Sequence, residues 1–444
     1  MGERGSERVA PFEHYMFADD RPSMPMTFFL RFAISGKLDP ARFKAAVAEA
    51  QARNPLTRSV IAGKAEEPTG QLSWRPAPRP DIHIAISESG DGFPAYPGKD
   101  PFLDMATEVG LRFFLLQDHN SRATLLLQAH HAVCDAVGAA QFMEDVFAAY
   151  DGLTARSSDR RWRDLDPALL DRREDVAFAE ALTKNRPFAS IAAALKTLAT
   201  PAEPLMPASA GEKSAGDRMF PASAVAILDA DDLAAVRRRA KAKGATINDL
   251  LLKSLFLALD RKLADRITPE KIRLAMPVDL RTEEWQAMPV ANMVGIGFIE
   301  RQRSDLWDRD ALLEGISQQT RQSKKQAMGA TFCRAVALAG RRDNGLVEIC
   351  APTHCFSTIV LSNLLQPFAR SPLAGDDGRI EAGGLLIESA ELLPPLRPMT
   401  SIAIGVLTYA GRMHVSLHYD PRAVRPEDAR ELRDLLVDQV AARR

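Results

Sequence analysis

Two adjacent histidines, His130 and His131, open the run HHAVCDAVG, in which Cys134, Asp135 and Gly138 follow at short spacing. A neutral imidazole titrates near physiological pH. It can therefore take a proton from an attacking hydroxyl, amine or thiol and return it to a leaving group. Successive side chains on a strand point to opposite faces, so only one of the two histidines can enter a given cavity while the other packs or bonds behind it. Asp135, beyond them in the loop, can either orient the imidazole or brace the loop against an arginine. On residue types alone, a purely structural histidine pair is the alternative.

A metal site is a further alternative, because His130, His131, Cys134 and Asp135 include three ligand types. Adjacent strand histidines diverge, however, and neither HExxH nor paired CxxC spacing occurs, so no metal is expected. No GxSxG nucleophile elbow occurs either, which removes the serine-hydrolase reading.

The elements that must position these residues can be traced from periodicity. Ala123 to His131 is an apolar run short enough for a central strand, and Ala139, Phe142, Met143, Val146, Phe147 and Tyr150 then share one face of a helix. The histidines thus sit where a strand ends and a loop begins. Earlier, Met26 to Ser35 reads as a buried strand ended by Gly36. A helix follows, capped by Asp39, with Pro40 in its first turn and Asn54 and Pro55 stopping it.

Between about Thr197 and Met219 the chain turns to proline, alanine, serine and glycine with no apolar period, and the domain boundary is placed there. The expected division is residues 1–200, a linker at 201–220 and residues 221–444. The second half opens with the strand ASAVAIL and a helix from Asp231 to Lys243. A buried helix follows, with Thr246 and Asp249 as a capping box. Further strands are expected at Ile272 to Val278, Val294 to Ile299, Thr358 to Leu361, Ser401 to Thr408 and Met413 to Tyr419. YAGR joins the last two as a hairpin, and a final helix runs from Pro426. His418 and Asp420, at a strand end ahead of that helix, weakly repeat the order of His131 and Asp135 in the first half, as an old duplication would.

A chain of 444 residues suits two domains. Lysine plus arginine (57) and aspartate plus glutamate (58) nearly cancel, which argues against a nucleic-acid or anionic-membrane partner. Four cysteines without CxxC pairs fit a reducing, cytoplasmic setting. Charges occupy the opening MGERGSERVAPFEHY, and no apolar run reaches membrane-spanning length, so no integral membrane segment is expected.

HHAVCDAVG resembles the HHxxxDG signature of the coenzyme A-dependent acyltransferase superfamily. That superfamily includes chloramphenicol acetyltransferase, condensation domains, wax ester synthases and polyketide-associated acyltransferases. ARNPLTRSVI, ATINDLLLKSL, MPVDLR followed by NMVG, IVLSN and TYAGRMHVSLHYD are similar to segments of these proteins, in their usual order. The resemblance implies an α/β (α+β) fold of two chloramphenicol acetyltransferase-like lobes. Each lobe is a mixed β-sheet flanked by helices, and the lobes meet at a central tunnel.

It also implies His131 as general base and His130, Asp135 and Gly138 as supporting residues. Asp135 is expected in an ion pair with an arginine of the other lobe, Arg281, and Asn292 and Ser362 are candidates for the tunnel wall or the oxyanion site. The implied reaction is direct acyl transfer from acyl-CoA or an acyl carrier protein to a small alcohol or amine, with the pantetheine thioester as substrate and no metal or redox cofactor. GGLLIES holds its serine too far from its glycines to be a carrier site, so a carrier would act in trans. Two rivals share the fold: an amide-forming condensation enzyme and a catalytically silent binding module. Ala136 departs from the motif, standing where its glycine would tolerate backbone angles or close substrate approach that alanine resists.

Overall fold

A computed structural model describes residues 7–87, 101–117, 121–153, 162–175, 187–206, 221–263, 269–325 and 327–442. Residues 207–220, most of the expected linker, lie outside them.

Two six-stranded mixed sheets form, the first with four strands from the first half of the chain and two from the second. The first runs in the order Glu381–Ala382, Leu385–Leu393, Thr27–Ser35, Arg122–His130, Leu111–Gln117 and His83–Ser87, antiparallel except for its last pair. The second runs Val294–Gln302, Lys271–Asp279, Ile359–Asn363, Ile402–Tyr409, Arg412–Tyr419 and Ser223–Leu228, with Ile359–Asn363 parallel to both neighbours. A mixed α/β architecture in two lobes is therefore present.

The strand from Thr27 to Ser35 shows why the first sheet forms. Phe28, Leu30, Phe32 and Ile34 alternate onto one face and pack beneath the helices Pro40–Arg53 and Ala136–Gly152. Phe29, on the other face, joins Phe114 and Leu126 in a small cluster with Leu393, Leu396 and Ala403 from the second half. The Asp39 carboxylate accepts from the main-chain amides of Ala41 and Arg42, and Asn54 ends that helix. In the second half, Thr246 and Asp249 cap the buried helix Ile247–Lys262 reciprocally.

Leu385–Leu393 crosses from the second half into the first sheet, antiparallel to Thr27–Ser35, with a register shift between Ile387 and Ser389. Arg31 and Glu391 pair across this junction at 2.5 Å. The crossing strand also packs against Ile402–Tyr409 and Arg412–Tyr419, so one element touches both sheets. Its end carries Leu392, Pro394 and Pro395 into the space between the lobes. Among the described residues, no helix is long and apolar enough to cross a membrane.

Candidate active site

The strand Arg122–His130 delivers the two histidines as alternation requires. His130 is fully buried; its Nδ1 accepts from the Ala132 amide at 3.1 Å, and its Nε2 lies 3.2 Å from the Asp20 carboxylate. An accepting Nδ1 puts the proton on Nε2, toward Asp20. Asp20 in turn accepts from the Met26 amide at 2.7 Å, so His130 ties the histidine turn to the start of the neighbouring strand.

His131 points the other way, into an apolar cavity between the lobes. Its amide donates to Met26 at 2.9 Å, and its ring meets the edge of Phe28 at 5.2 Å. A hydrogen bond to its own main-chain carbonyl helps to hold the ring in place. Burial pushes its pKa down to about 4 against the opposing pull of Asp135, so the ring is neutral at physiological pH.

Asp135 is spent on structure. One carboxylate oxygen caps the helix Ala136–Gly152 through the Gly138 amide at 2.8 Å. The other accepts from the Met293 amide at 2.7 Å and from Arg281 Nη1 at 2.8 Å. Arg281 also donates to the Ala291 carbonyl at 3.0 Å and to Asp279 at 3.0 Å. Its side chain is 8% exposed, so it is no solvated strand end. Neighbouring carboxylates hold its pKa above the usual value despite burial.

Gly138 sits where the lobes touch: a Cβ there would lie 2.8 Å from the Ala291 carbonyl oxygen. Alanine at position 136 meets no backbone demand, because its φ is not among the positive values. Its methyl group lies instead on the cavity wall.

Asn292 lies behind the histidine. Its Nδ2 donates to the His131 carbonyl at 2.5 Å and lies 3.4 Å from His131 Nδ1. That amide is committed to the histidine and does not line the main cavity. Ser362 does line it, together with Val360 on the same face of Ile359–Asn363. His418, the counterpart in the second half, donates through Nδ1 to the Pro394 carbonyl at 2.7 Å and is absent from the cavity wall. Cys134 is buried, and His130 and His131 diverge. Among the described residues no cluster of three or more histidine, cysteine or acidic side chains is arranged to hold a metal ion.

The cavity encloses about 170 Å³, comparable with cavities that admit a benzene-sized group. Sequence reasoning missed Asp20 behind His130, and an ion pair on the cavity wall, Asp19 with Arg397. Nothing in the residues flanking them signals those contacts. It also missed the row Val294, Ile296 and Phe298, although the alternation in VGIGF is visible in the sequence.

A family model described as "Condensation domain" matches residues 24–299, more than half of the chain. Two uncharacterized proteins of Mycobacterium tuberculosis, one from each of two strains, are 24% identical over 330 residues, 71% of this chain and 72% of theirs. The first condensation domain of the calcium-dependent antibiotic synthetase, solved with a substrate analogue, superposes with a TM-score of 0.70 at 14% identity, covering 99% of this chain and 96% of that one. The starter condensation domain of rhizomide synthetase, as a variant in complex with C8-CoA, gives 0.64 at 15% identity over 98% and 95%. The X-domain from teicoplanin biosynthesis gives 0.64 at 15% over 100% and 96%.

Proposed function

The chain belongs to the condensation-domain family, and from that premise we propose that it moves an acyl group from a pantetheine thioester, on CoA or a carrier protein, to a hydroxyl or amine acceptor, with His131 as general base. The observation that carries this reading is a neutral imidazole at the wall of an apolar cavity between two lobes. His131 Nε2 takes the acceptor's proton as the acceptor attacks the thioester carbonyl. The tetrahedral intermediate collapses, the C–S bond breaks, and the imidazolium returns the proton to the departing thiolate. The Ser362 hydroxyl is the cavity-facing candidate to donate to the oxyanion.

His130, Asp135, Gly138, Arg281 and Asn292 act here as positioning residues. They hold the histidine turn, the helix start and the opposing loop in one arrangement. No covalent acyl-enzyme, metal or redox cofactor is needed for the step as written. A CoA donor is supported by the related starter domain bound to C8-CoA, and an amide product by the family itself.

The test is thiol release from a panel of acyl-CoA and carrier-bound thioesters with pooled amines and alcohols, followed by product mass. Acceptor-dependent release with a product one acyl group heavier than its acceptor is the expected result. Absence of release from every donor overturns the reading in favour of a silent binding module.

A further inference from the structure

On one face of the second sheet, three cross-strand pairs line the cavity in succession: Asp279 with Val294, Pro277 with Ile296, and Ala275 with Phe298. At about 3.4 Å per residue, the row from Asp279 to Ala275 runs about 14 Å. Its Asp279 end joins Asp135 and Arg281 beside the histidine loop. Its far end is aromatic. Phe298 packs on Phe332 with ring centres 5.7 Å apart, Phe332 meets Tyr15 at 6.0 Å, and Tyr15 meets Phe356 at 6.0 Å.

Charge along this row is already spent. Among the described residues that line the cavity, Asp19 pairs with Arg397, and Asp135 and Asp279 both pair with Arg281. The surplus carboxylate, Asp279, stands at the polar end with its Oδ1 taken by the Arg281 amide and guanidinium. Between Asp279 and Phe298 the wall is apolar. An acyl chain carrying an ammonium ion at its far end would lose that ion's water there and gain no counter-ion, which is costly. A hydrocarbon group gains roughly fourfold in binding for each buried methylene.

Resting on the acyl-transfer reading, we infer that this row seats the donor's acyl group. The accepted acyl group is uncharged and apolar along its chain, an acyl group with an ammonium ion at its far end is rejected, and Phe298 ends the seat and so limits acyl length.

The test uses non-hydrolysable 2-oxoalkyl thioether analogues of acyl-pantetheine, from acetyl to decanoyl, with binding measured by calorimetry. An 8-aminooctanoyl analogue is compared with its octanoyl counterpart. Affinity should climb about fourfold per methylene until the row is full and then fall, and the 8-aminooctanoyl analogue should bind at least about tenfold more weakly than its counterpart. Phe298→Ala should move the break to longer chains, and Ile296→Phe, on the same face, to shorter ones. Circular dichroism and melting confirm that each variant folds, and one folded variant suffices to read the shift. A break that a folded variant leaves unmoved, equal binding of the 8-aminooctanoyl analogue, or no dependence on chain length overturns the inference.

Turnover of the matching thioesters is scored separately. Chain-dependent binding without thiol release rejects acyl transfer and leaves the seat. Turnover that ignores chain length rejects the seat and leaves acyl transfer.

Discussion

Replacing Arg281 by methionine should loosen the junction between the lobes, and the structure lets the cost be worked out. The substitution keeps length and removes the cation that the carboxylates of Asp135 and Asp279 share. Asp135, 3% exposed, would be left charged in the interior. Breaking a buried pair from one side costs about 3–5 kcal/mol. Asp135 keeps its bonds from Gly138 and Met293, which sets the expectation at the lower end, about 3 kcal/mol. Asp135→Asn should cost about as much or more. A single amide cannot accept from Gly138 on one side and from both Met293 and Arg281 on the other without turning its own N–H groups toward donors. Combining the two substitutions should cost less than their sum by at least about 1 kcal/mol, because neither charge then remains stranded. Urea unfolding with linear extrapolation reads all three. An Arg281→Met variant within about 1 kcal/mol of wild type, or strict additivity, would refute the latch.

Gly138→Ala should destabilise by about 1–3 kcal/mol in the same assay, because the new methyl group meets main-chain oxygen rather than a yielding side chain. A neutral or stabilising result would show the contact to be soft. Asn292→Ala should lower kcat about 100-fold with KM little changed, since the His131 carbonyl loses its donor and the imidazole its fixed pose; unchanged kcat would remove the positioning role. Acid should unfold the protein through its buried histidines. His418 takes a proton near 6.5 when unfolded and only near about 4 when folded, so the unfolded state binds more protons across that window and stability falls as pH drops through it. For His418, fully buried, the loss reaches about 3 kcal/mol by pH 4. His418→Gln, which keeps a donor for Pro394, should flatten the stability profile below about pH 6.5, whereas an identical slope would place the acid sensitivity elsewhere.

What could be read in advance follows from which contacts are local. The histidine strand, the helix after it, the Asp39 cap and the Thr246–Asp249 box are local patterns, so alternation and capping chemistry mark them within a residue or two. Leu385–Leu393 escaped notice because its alternation breaks at Glu388, inside the register shift, and because the strand it joins lies more than three hundred residues earlier. The row ending at Phe298 alternates visibly, but that it faces a cavity depends on the second lobe's placement. NMVG makes Asn292 a candidate for the tunnel wall or the oxyanion site, and its amide donates to the His131 carbonyl, a contact between distant segments that the motif does not show. Ala136 stands where the motif's glycine would ease backbone angles or close substrate approach; an ordinary helix starts there, which meets the first point, while its methyl group lies on the cavity wall, where the second still applies.

The central claim is that His131 moves the proton. The decisive measurement is kcat/KM for His131→Ala beside wild type, with the best acyl thioester and acceptor, in a variant whose melting and thioether-analogue binding match wild type. A loss of about 100- to 10,000-fold with binding retained is the predicted result. Turnover within a few-fold of wild type in that folded, binding-competent variant would contradict the assignment of the base.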